Sequence, residues 1–444
     1  MRPDAENDAS ILPTVSGRET SVMSSPESRP TARRSIPRNV LTLCLLVVLG
    51  IGVAGLVVEG AVRLLVPVSD FFYQWDPVVG LKLIPNKRGR FVKRGIFDTR
   101  VEINSHGFRD REHAYKKPPG VQRVVLLGDS FIEALQVPFE QSITPLLEAR
   151  VNATGLTTEF INLGVSGFGT GREYLMLREY GLRYQPDLVV LFFVGNDVSD
   201  NSKRLQGLPY VPYPVPSADG TVARDEVGQL RFTPFADQSS RLAFLTRFLR
   251  DHTKSFRLLR ESIDAAPALH SLLYKALRLV STPPEAVNVP GNKTFGFHEI
   301  YRPQYTPAWS EAWMLTESLL LATRTLVEAN GAKFAVVIVP AAWEVYPEHW
   351  ESILTSVPAM REASLDLDKP SRELASFLAA NGIPHVALLR DFRERAAGLP
   401  PLYVRADAHW TADGHRLATD LLSRPIVTLL TETSPANLAV TDRN

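Results

Sequence analysis

The chain contains, at residues 123–130, the stretch RVVLLGDS, and the fold can be built outward from it. The run RVVLL has the length and the mostly apolar composition of a parallel strand that is buried on both faces. Gly128, Asp129 and Ser130 follow where this strand ends, and open α/β sheets bind ligands at that edge. A serine hydroxyl is weakly nucleophilic alone, so Ser130 matters only if a base reaches it. Asp129 and Ser130 are also helix-capping residue types, and the tripeptide by itself describes an ordinary strand-to-helix turn.

Further strands of the same kind follow along the chain. Apolar runs predict strands at Thr158–Asn162, Leu188–Val194, Lys333–Val339 and residues 385–389. Helical periodicity predicts helices at 170–184, 309–330 and 371–381, and a last helix that begins after Thr411 as N-cap and runs through Leu422. This alternation predicts a parallel sheet with helices on both faces.

The N-terminal part has a different composition. Residues 1–39 are rich in Ser, Pro and Arg and lack apolar periodicity, which predicts a disordered segment. Residues 40–58 form an uncharged apolar run of the length of a transmembrane helix. Because Arg33, Arg34 and Arg38 precede this run, the positive-inside rule places the N-terminus in the cytoplasm and everything after residue 67 in the periplasm or outside the cell. We interpret the run as an uncleaved anchor in preference to a signal peptide or a buried core helix.

The remaining chain divides by composition. Residues 68–122 form a lead-in segment with a predicted strand at 100–104, which we expect to pack on the main domain; His106 and His113 in it are assigned surface or turn roles. The main domain spans residues 123–430, and 431–444 form a C-terminal tail.

Within the main domain, residues 201–310 are far too long for a normal connection and are interpreted as an insertion. Its sequence predicts a hairpin around residues 225–228 and amphipathic helices near 241–250 and 268–279. Its position after the third strand leaves two roles open, a cover over the site or a decoration that never touches substrate.

The strand ends provide the parts of an acyl-transfer site. Ser130 is the candidate nucleophile, and His409 is the base that takes its proton and later protonates the leaving alkoxide. Asp407 is expected to hold the imidazole tautomer. The candidate oxyanion donors are the N–H groups of Ser130 and Gly167 and the side-chain amide of Asn196, each typically worth roughly 3 kcal/mol in the transition state. A glycine at 167 is expected because a side chain would obstruct the approach of substrate.

These residues lie in four blocks: Gly128-Asp129-Ser130, a glycine-rich turn that contains Gly167, Gly195-Asn196-Asp197, and Asp407-Ala-His409. In this order they resemble the blocks of the SGNH (GDSL-type) hydrolase family. The resemblance implies a flavodoxin-like three-layer α/β/α sandwich with a five-stranded parallel sheet. It also implies ester hydrolysis or acyl transfer through a Ser-His-Asp triad, with no metal and no organic cofactor.

One departure from the family narrows the expected substrate. Many family members have two residues between the aspartate and the histidine of the last block, and this chain has only Ala408. The shorter form looks like that of membrane-associated or periplasmic relatives that handle polysaccharide acetyl groups, including alginate O-acetyltransferase-like proteins. It implies an ester or acylated carbohydrate as substrate. We therefore expect an esterase, with an O-acetyltransferase that acts on a cell-envelope or exported polysaccharide as the alternative.

Other interpretations stay open at this point. His415 competes with His409 as the base, and Asp197 is assigned a turn-stabilising role. A nucleotide-binding loop is disfavoured, since the glycines at 164, 167 and 169 lack the required spacing. A catalytically inactive polysaccharide-binding module is a further alternative.

Residue types and net charge also bear on metal ions, nucleic acids and disulfides as features of this chain. A metal-dependent phosphoesterase would draw its ligands from Asp129, Asn196, Asp407 and His409. The net charge of +1 gives no indication of a nucleic-acid partner. The single cysteine, Cys44, excludes an intramolecular disulfide and a multi-cysteine metal site.

Overall fold

The computed structural model describes residues 38–208, 210–235, 248–250, 252–264, 296–405 and 407–432. The chain divides into two compact units, Met1–Val57 and Val58–Asn444. Of the insertion helices, 241–250 is described only at 248–250, where the backbone is helical, and 268–279 lies outside the described residues. The disordered segment predicted at 1–39 lies outside them up to residue 37, and the tail predicted at 431–444 lies outside them from residue 433. Disorder at residues 38 and 39 is wrong, because a helix begins at Arg38.

Among the described residues, one helix is long and apolar enough to cross a membrane, judged by length and composition alone. This helix, α1, spans Arg38–Leu65, and its candidate span is Thr42–Leu65. Apolar side chains along it, such as Ile51 and Leu56, are exposed. The helix therefore extends well beyond the predicted run of 40–58, because residues 59–65 continue the helical backbone past Glu59.

The lead-in segment folds into two antiparallel hairpins. Strands β1 and β2 are Tyr73–Asp76 and Gly80–Leu83, and strands β3 and β4 are Arg88–Lys93 and Phe97–Glu102. The strand expected at 100–104 thus begins earlier and ends at Glu102. Apolar side chains of the segment form a small core with one residue of the main domain: Phe72, Leu83, Val101, Ile103 and Leu135.

The central sheet has five parallel strands in the order β6-β5-β7-β8-β9. Their bounds are Gln122–Leu127 for β5, Thr158–Asn162 for β6, Leu188–Val194 for β7, Lys333–Val339 for β8 and His385–Ala387 for β9. The last strand is shorter than predicted, because Leu389 already begins a helix. Leu388 and Leu389 are buried there, and burial gives the same apolar signal in a helix as in a strand.

Helices cover both faces of this sheet and make the three-layer sandwich that the resemblance implied. Neighbouring residues of β5 alternate between two cores, with Val125 and Leu127 in one and Val124 and Leu126 in the other. The helices of the first core are Thr170–Glu179, Pro307–Ala329 and Lys369–Ala380; those of the second are Ile143–Asn152, Leu389–Ala396 and Ala412–Thr431. The remaining described helices, several of them single 3₁₀ turns, are Ser130–Glu133, Phe139–Gln141, Gly181–Tyr184, Asn196–Asp200, Lys254–Asp264, Gly296–Tyr301, Ala342–Val345, Pro347–Ser356 and Pro358–Glu362.

The described parts of the insertion pack in three places, the first of them at the end of α1, where the Lys254 N–H donates to Glu59 Oε1 at 2.9 Å. The predicted hairpin turn is present, since the Asp225 N–H donates to the Gln229 carbonyl at 2.9 Å. This hairpin packs on the outer helix of the first core, where the Val222 N–H donates to Ser318 Oγ at 3.1 Å. The end of the insertion reaches the turn after β7: a Cβ added at Gly195 would lie 3.5 Å from the ring of Phe297.

Candidate active site

The turn after β5 forms as a helix start. Asp129 is the N-cap of the short helix Ser130–Glu133, and its carboxylate accepts the Phe131 N–H at 2.9 Å. Gly128 allows this turn to close, since a Cβ there would lie 2.5 Å from Ile132 Cγ1. The capping role and a catalytic role are therefore compatible, because the cap places Ser130 at the first helical position on the carboxyl edge of the sheet.

A chain of hydrogen bonds joins Ser130, His409 and Asp407. His409 Nε2 lies 2.7 Å from Ser130 Oγ, and His409 Nδ1 lies 2.6 Å from Asp407 Oδ1. Each imidazole nitrogen thus has one partner, and the carboxylate requires the proton to be on Nδ1. This tautomer leaves Nε2 free to accept the hydroxyl proton of Ser130.

The loop that presents His409 is fixed from both sides. Thr411 caps the following helix by accepting the Gly414 N–H at 3.2 Å, as predicted from the sequence. The His409 carbonyl accepts the Val404 N–H at 2.7 Å. The Trp410 ring is buried and packs edge-on against Phe131, with centroids 5.2 Å apart. The helix cap and this aromatic contact hold His409 against the nucleophile turn.

The environment of Asp407 and His409 shifts the pKa of each group in the direction that favours its charged form. Burial opposes charge on both groups, but their hydrogen bond and mutual attraction outweigh it. As a result the pKa of Asp407 lies below its ordinary value and the pKa of His409 lies above its ordinary value. The negative charge of Asp129 further raises the pKa of His409.

His415 occupies the first turns of the last helix and does not contact Ser130. Its side chain is buried, with 1% exposed, so His415 is a core residue of the last helix. Burial, with the charges of Arg109 and His409, lowers its pKa to about 3. Its ring meets Trp410 edge-on, with centroids 5.4 Å apart.

The three candidate oxyanion donors lie at the ends of β5, β6 and β7. The Ser130 N–H begins a helix and has no acceptor within it. Gly167 has φ +72, and a Cβ there would meet no protein atom within 4 Å. The glycine is therefore needed for the left-handed backbone and not to relieve crowding by protein atoms. The Asn196 amide donates to Asp129 Oδ2 at 3.3 Å and to Asp200 Oδ2 at 3.1 Å.

A buried glutamate that the sequence reasoning missed supports the loop of Gly167. The Glu133 carboxylate accepts the Tyr73 hydroxyl at 3.0 Å, the Ser166 N–H at 3.2 Å and the Ser166 hydroxyl. Burial raises the pKa of Glu133 to about 7, and these hydrogen bonds offset only part of that effect. Glu133 therefore links the helix of the nucleophile to the loop of Gly167.

A lysine from the lead-in segment also reaches the site. Lys93 Nζ lies 2.9 Å from Asp407 Oδ2. The sequence offers no signal for this contact, because 314 positions separate the two residues.

Behind the Asn196 turn lies a group of buried carboxyl groups. Asp197 Oδ2 accepts the Val194 N–H at 3.1 Å, which is the contact of a turn-stabilising residue. Burial, together with mutual repulsion, raises the pKa of Asp197 and of Glu173 well above the ordinary range. Burial raises the pKa of Asp200 to about 7. The interior thus favours neutral carboxylic acids beneath the site.

The histidines of the lead-in segment are structural. His106 Nδ1 lies 2.7 Å from the Tyr184 hydroxyl. His113 is buried between Asp110 and Glu159, so a surface role for it is wrong. Within the described ranges, no group of three or more His, Cys, Asp or Glu side chains converges as a metal site, so the ligand set of a metallophosphoesterase is not found there.

Comparison with known proteins gives this geometry a family context. A family model described as an SGNH hydrolase-like domain, acetyltransferase AlgX, matches residues 304–442, which include Asp407 and His409. The chain contains an SGNH hydrolase-like domain. Ser130, Gly167 and Asn196 precede the matched residues, and the contact between Ser130 Oγ and His409 Nε2 joins the two parts of the chain.

One curated relative matches a short part of the chain, and the similar solved structures match most of it at low identity. The "Probable alginate O-acetylase AlgJ" of Pseudomonas fluorescens is 30% identical over 125 residues. This match covers 28% of the chain and 30% of that relative, so the chain spans about a third of the relative's length. The acetyl xylan esterase AlAXEase is 14% identical, covering 68% of this chain and 99% of that one, with a TM-score of 0.34. A two-domain esterase, CEX, active on acetylated mannans is 12% identical, covering 71% of this chain and 51% of that one, with a TM-score of 0.33.

Proposed function

We propose that this chain cleaves O-acyl, and specifically O-acetyl, esters through a covalent acyl-Ser130 intermediate. The observation that carries the proposal is the hydrogen-bonded series from Ser130 Oγ through His409 to Asp407 Oδ1. A serine whose hydroxyl lies on a base that is itself oriented by a carboxylate is the general arrangement of an activated nucleophile.

The proposed reaction has two halves. Ser130 Oγ attacks the ester carbonyl as its proton moves to His409 Nε2, and the oxyanion develops opposite the N–H groups of Ser130 and Gly167 and the Asn196 amide. His409 then returns the proton to the leaving alkoxide, which departs as an alcohol. In the second half a water or a sugar hydroxyl loses its proton to His409 and attacks the acyl carbonyl. Ser130 leaves and regains the proton.

The oxyanion role of Asn196 requires a local change. Its amide hydrogens point at Asp129 and Asp200, and the longer contact of 3.3 Å to Asp129 is the weaker of the two. We propose that this hydrogen turns to the substrate oxyanion while Asp200 keeps the amide in place.

A second candidate function is O-acetyl transfer to a polysaccharide hydroxyl. The match to the AlgX acetyltransferase model and the similarity to AlgJ favour it. The two activities share the first half of the reaction and differ only in the acceptor of the second. A catalytically inactive binding module has no comparable support, since the triad is assembled.

The test uses the full chain in detergent with p-nitrophenyl acetate, butyrate and octanoate, and with acetylated polysaccharide. We expect turnover that is highest with acetate, and labelling by a fluorophosphonate that Ser130→Ala abolishes. Ser376→Ala is the matched control, because Ser376 is an exposed residue of the helix Lys369–Ala380 and its hydroxyl donates to the Arg372 carbonyl of the same helix. Addition of an acceptor oligosaccharide distinguishes the two functions: a transferase forms acetylated oligosaccharide, whereas an esterase releases acetate only. Activity that survives Ser130→Ala and needs an added divalent metal would instead indicate a phosphoesterase.

We further propose that the N-terminus is cytoplasmic and that the SGNH hydrolase-like domain lies in the periplasm or outside the cell. The arginines at 33, 34 and 38, which precede the apolar span, support this orientation. A reporter that is active only in the cytoplasm, fused after Asn444, should be silent. Full reporter activity in cells with intact membranes would reverse the topology.

A further inference from the structure

Asp407 is held by two partners, one on each carboxylate oxygen. Oδ1 binds His409 Nδ1 at 2.6 Å, and Oδ2 binds Lys93 Nζ at 2.9 Å. The Asp407 side chain is 13% exposed and that of Lys93 is 41% exposed. The ammonium group thus covers the carboxylate oxygen that does not bind His409, and the Lys93 side chain stays partly exposed to solvent.

The strand that carries Lys93 is fixed just before this residue. The Val92 N–H donates to Ser69 Oγ at 2.7 Å, and the Ser69 hydroxyl donates back to the Val92 carbonyl at 2.8 Å. The Arg90 N–H donates to the Asp70 carboxylate at 2.9 Å. The rings of Phe91 and Phe97 stack across the hairpin, with centroids 5.3 Å apart. The hairpin therefore presents Lys93 from a backbone held by hydrogen bonds on both sides of β3.

Few charges face the triad from the surrounding elements. Asp129 follows β5, its Oδ2 lies 3.4 Å from Ser130 Oγ, and its negative charge raises the pKa of His409. His415 lies in the last helix and stays neutral because burial lowers its pKa to about 3. Among the groups that act on Asp407, Lys93 and His409 are the cationic ones: burial raises the pKa of Asp407, and the contacts with both bases lower it by more.

We propose that Lys93 is a positioning residue of the active site, which fixes the Asp407 rotamer that offers Oδ1 to His409 and balances part of the Asp407 charge. The inference rests on the proposed function. A carboxylate bound at one oxygen only can rotate about its terminal torsion, which is broad and has no strong rotamer preference. With both oxygens bound, the oxygen that serves His409 is determined.

Loss of the Lys93 ammonium group should have two effects that can be measured separately, one on kcat and one on the pKa of His409. Loss of the second contact lets Asp407 leave its productive orientation, which lowers kcat more than it raises KM. Loss of the cation also leaves the negative charge of Asp407 unbalanced, and that charge stabilises the imidazolium. The pKa of His409 then rises, and because the general base must be neutral, the acid limb of the kcat/KM profile moves to higher pH.

The experiment measures kcat, KM and the pH profile of the full chain in detergent with p-nitrophenyl acetate. Lys93→Met keeps the apolar stem and removes the charge, and it should lower kcat by roughly tenfold and shift the acid limb upward. Lys93→Arg should restore the acid limb and most of kcat. Arg94→Met, an equal loss of charge at the next and exposed position, should match wild type in both. A Lys93→Met variant with the kcat and acid limb of wild type would overturn the proposal.

A second measurement reads the contact without turnover. Histidine-labelled full chain, with the His409 resonance identified by His409→Gln, is titrated by NMR with and without Lys93→Met. We expect a higher pKa of His409 in the variant and no change in Arg94→Met. An unchanged pKa of His409 in Lys93→Met would refute the positioning role of Lys93, whether or not the chain is an esterase. Conversely, turnover that persists in Ser130→Ala refutes the proposed function and leaves the titration as the test of Lys93.

Discussion

The loop of residues 407–410 and the first turns of the helix Ala412–Thr431 each present one histidine, and the two rings are in opposite environments. His409 has a partner on both nitrogens, Ser130 on one side and Asp407 on the other, and its pKa is raised. His415 is buried against Trp410, its Nδ1 has no hydrogen-bond partner among the described residues, and its pKa is lowered. A histidine becomes a base through its charged and hydrogen-bonded neighbours, and burial without them makes it a neutral core residue.

The largest loss of turnover is expected when the ring of His409 is removed. His409→Ala should lower turnover on the order of 10⁴, because only the oxyanion hole and substrate binding would remain. His415→Ala should keep turnover in the folded fraction, since its ring contacts neither Ser130 nor Asp407. Both variants are assayed after circular dichroism shows the native fold. Near-normal turnover in His409→Ala together with its loss in His415→Ala would reverse the assignment.

Asp407→Asn tests the orientation of the His409 ring. The amide is nearly isosteric, but its NH₂ group can stabilise the wrong imidazole tautomer, with Nδ1 unprotonated. Turnover should fall by about 10⁴, as is typical when a triad aspartate becomes an asparagine. Asp413→Asn is the control, because this partly buried carboxylate pairs with Arg416 in the first turns of the last helix. Equal turnover in the two variants would mean that Asp407 does not orient the base.

Glu133→Gln tests the other side of the site. The glutamine replaces one of the two oxygens that accept the Tyr73 hydroxyl by an NH₂ group, which cannot accept a hydrogen bond, so the loop of Gly167 should be held less firmly. Misplacing one oxyanion donor should cost kcat about tenfold, less than the 10² or more for deleting one. Glu140→Gln, an exposed glutamate nearby, serves as the reference. An effect confined to KM would place Glu133 in substrate binding instead.

The smallest effect concerns stability against pH. His415 has a folded-state pKa of about 3 and an unfolded value near 6.5, so the unfolded chain binds the extra proton between these values. The contribution of His415 is fully present above about pH 6.5 and is lost as the pH falls toward 3. His415→Leu should therefore unfold with a flatter pH dependence in this window, measured by denaturant titration. His385→Leu, at a partly buried position in β9, is the comparison. Parallel pH curves for His415→Leu and wild type would show that His415 is not neutral in the folded chain.

Features that depend on neighbouring residues in the sequence were predicted better than contacts between residues far apart in the sequence. The bounds of β6, β7 and β8 agree with the apolar runs, because strands that are buried on both faces are continuously apolar. The predicted end of β9 was wrong, because buried apolar residues such as Leu388 and Leu389 fit a helix as well as a strand.

The same distinction applies to the site. Ser130, Gly167, Asn196, Asp407 and His409 were all identified from short motifs at strand ends, and the structure brings Ser130, His409 and Asp407 into hydrogen-bond contact. Lys93 and Glu133 were not identified, since each acts through a tertiary contact that leaves no local pattern in the sequence. The burial of His415 was not identified either, although Ala418 and Leu422, three and seven positions further along the same helix, mark that face as apolar.

The most direct test of the central claim is mass spectrometry of the full chain, quenched by acid during turnover of an acetyl ester. We expect a peptide that contains Ser130 and carries one additional acetyl group. This species should be absent in Ser130→Ala, and in Asp407→Asn it should form more slowly, because the first half of the reaction also needs the oriented base. Turnover with no acetylated Ser130 in either wild type or Asp407→Asn, or acetylation that persists elsewhere in Ser130→Ala, would contradict it.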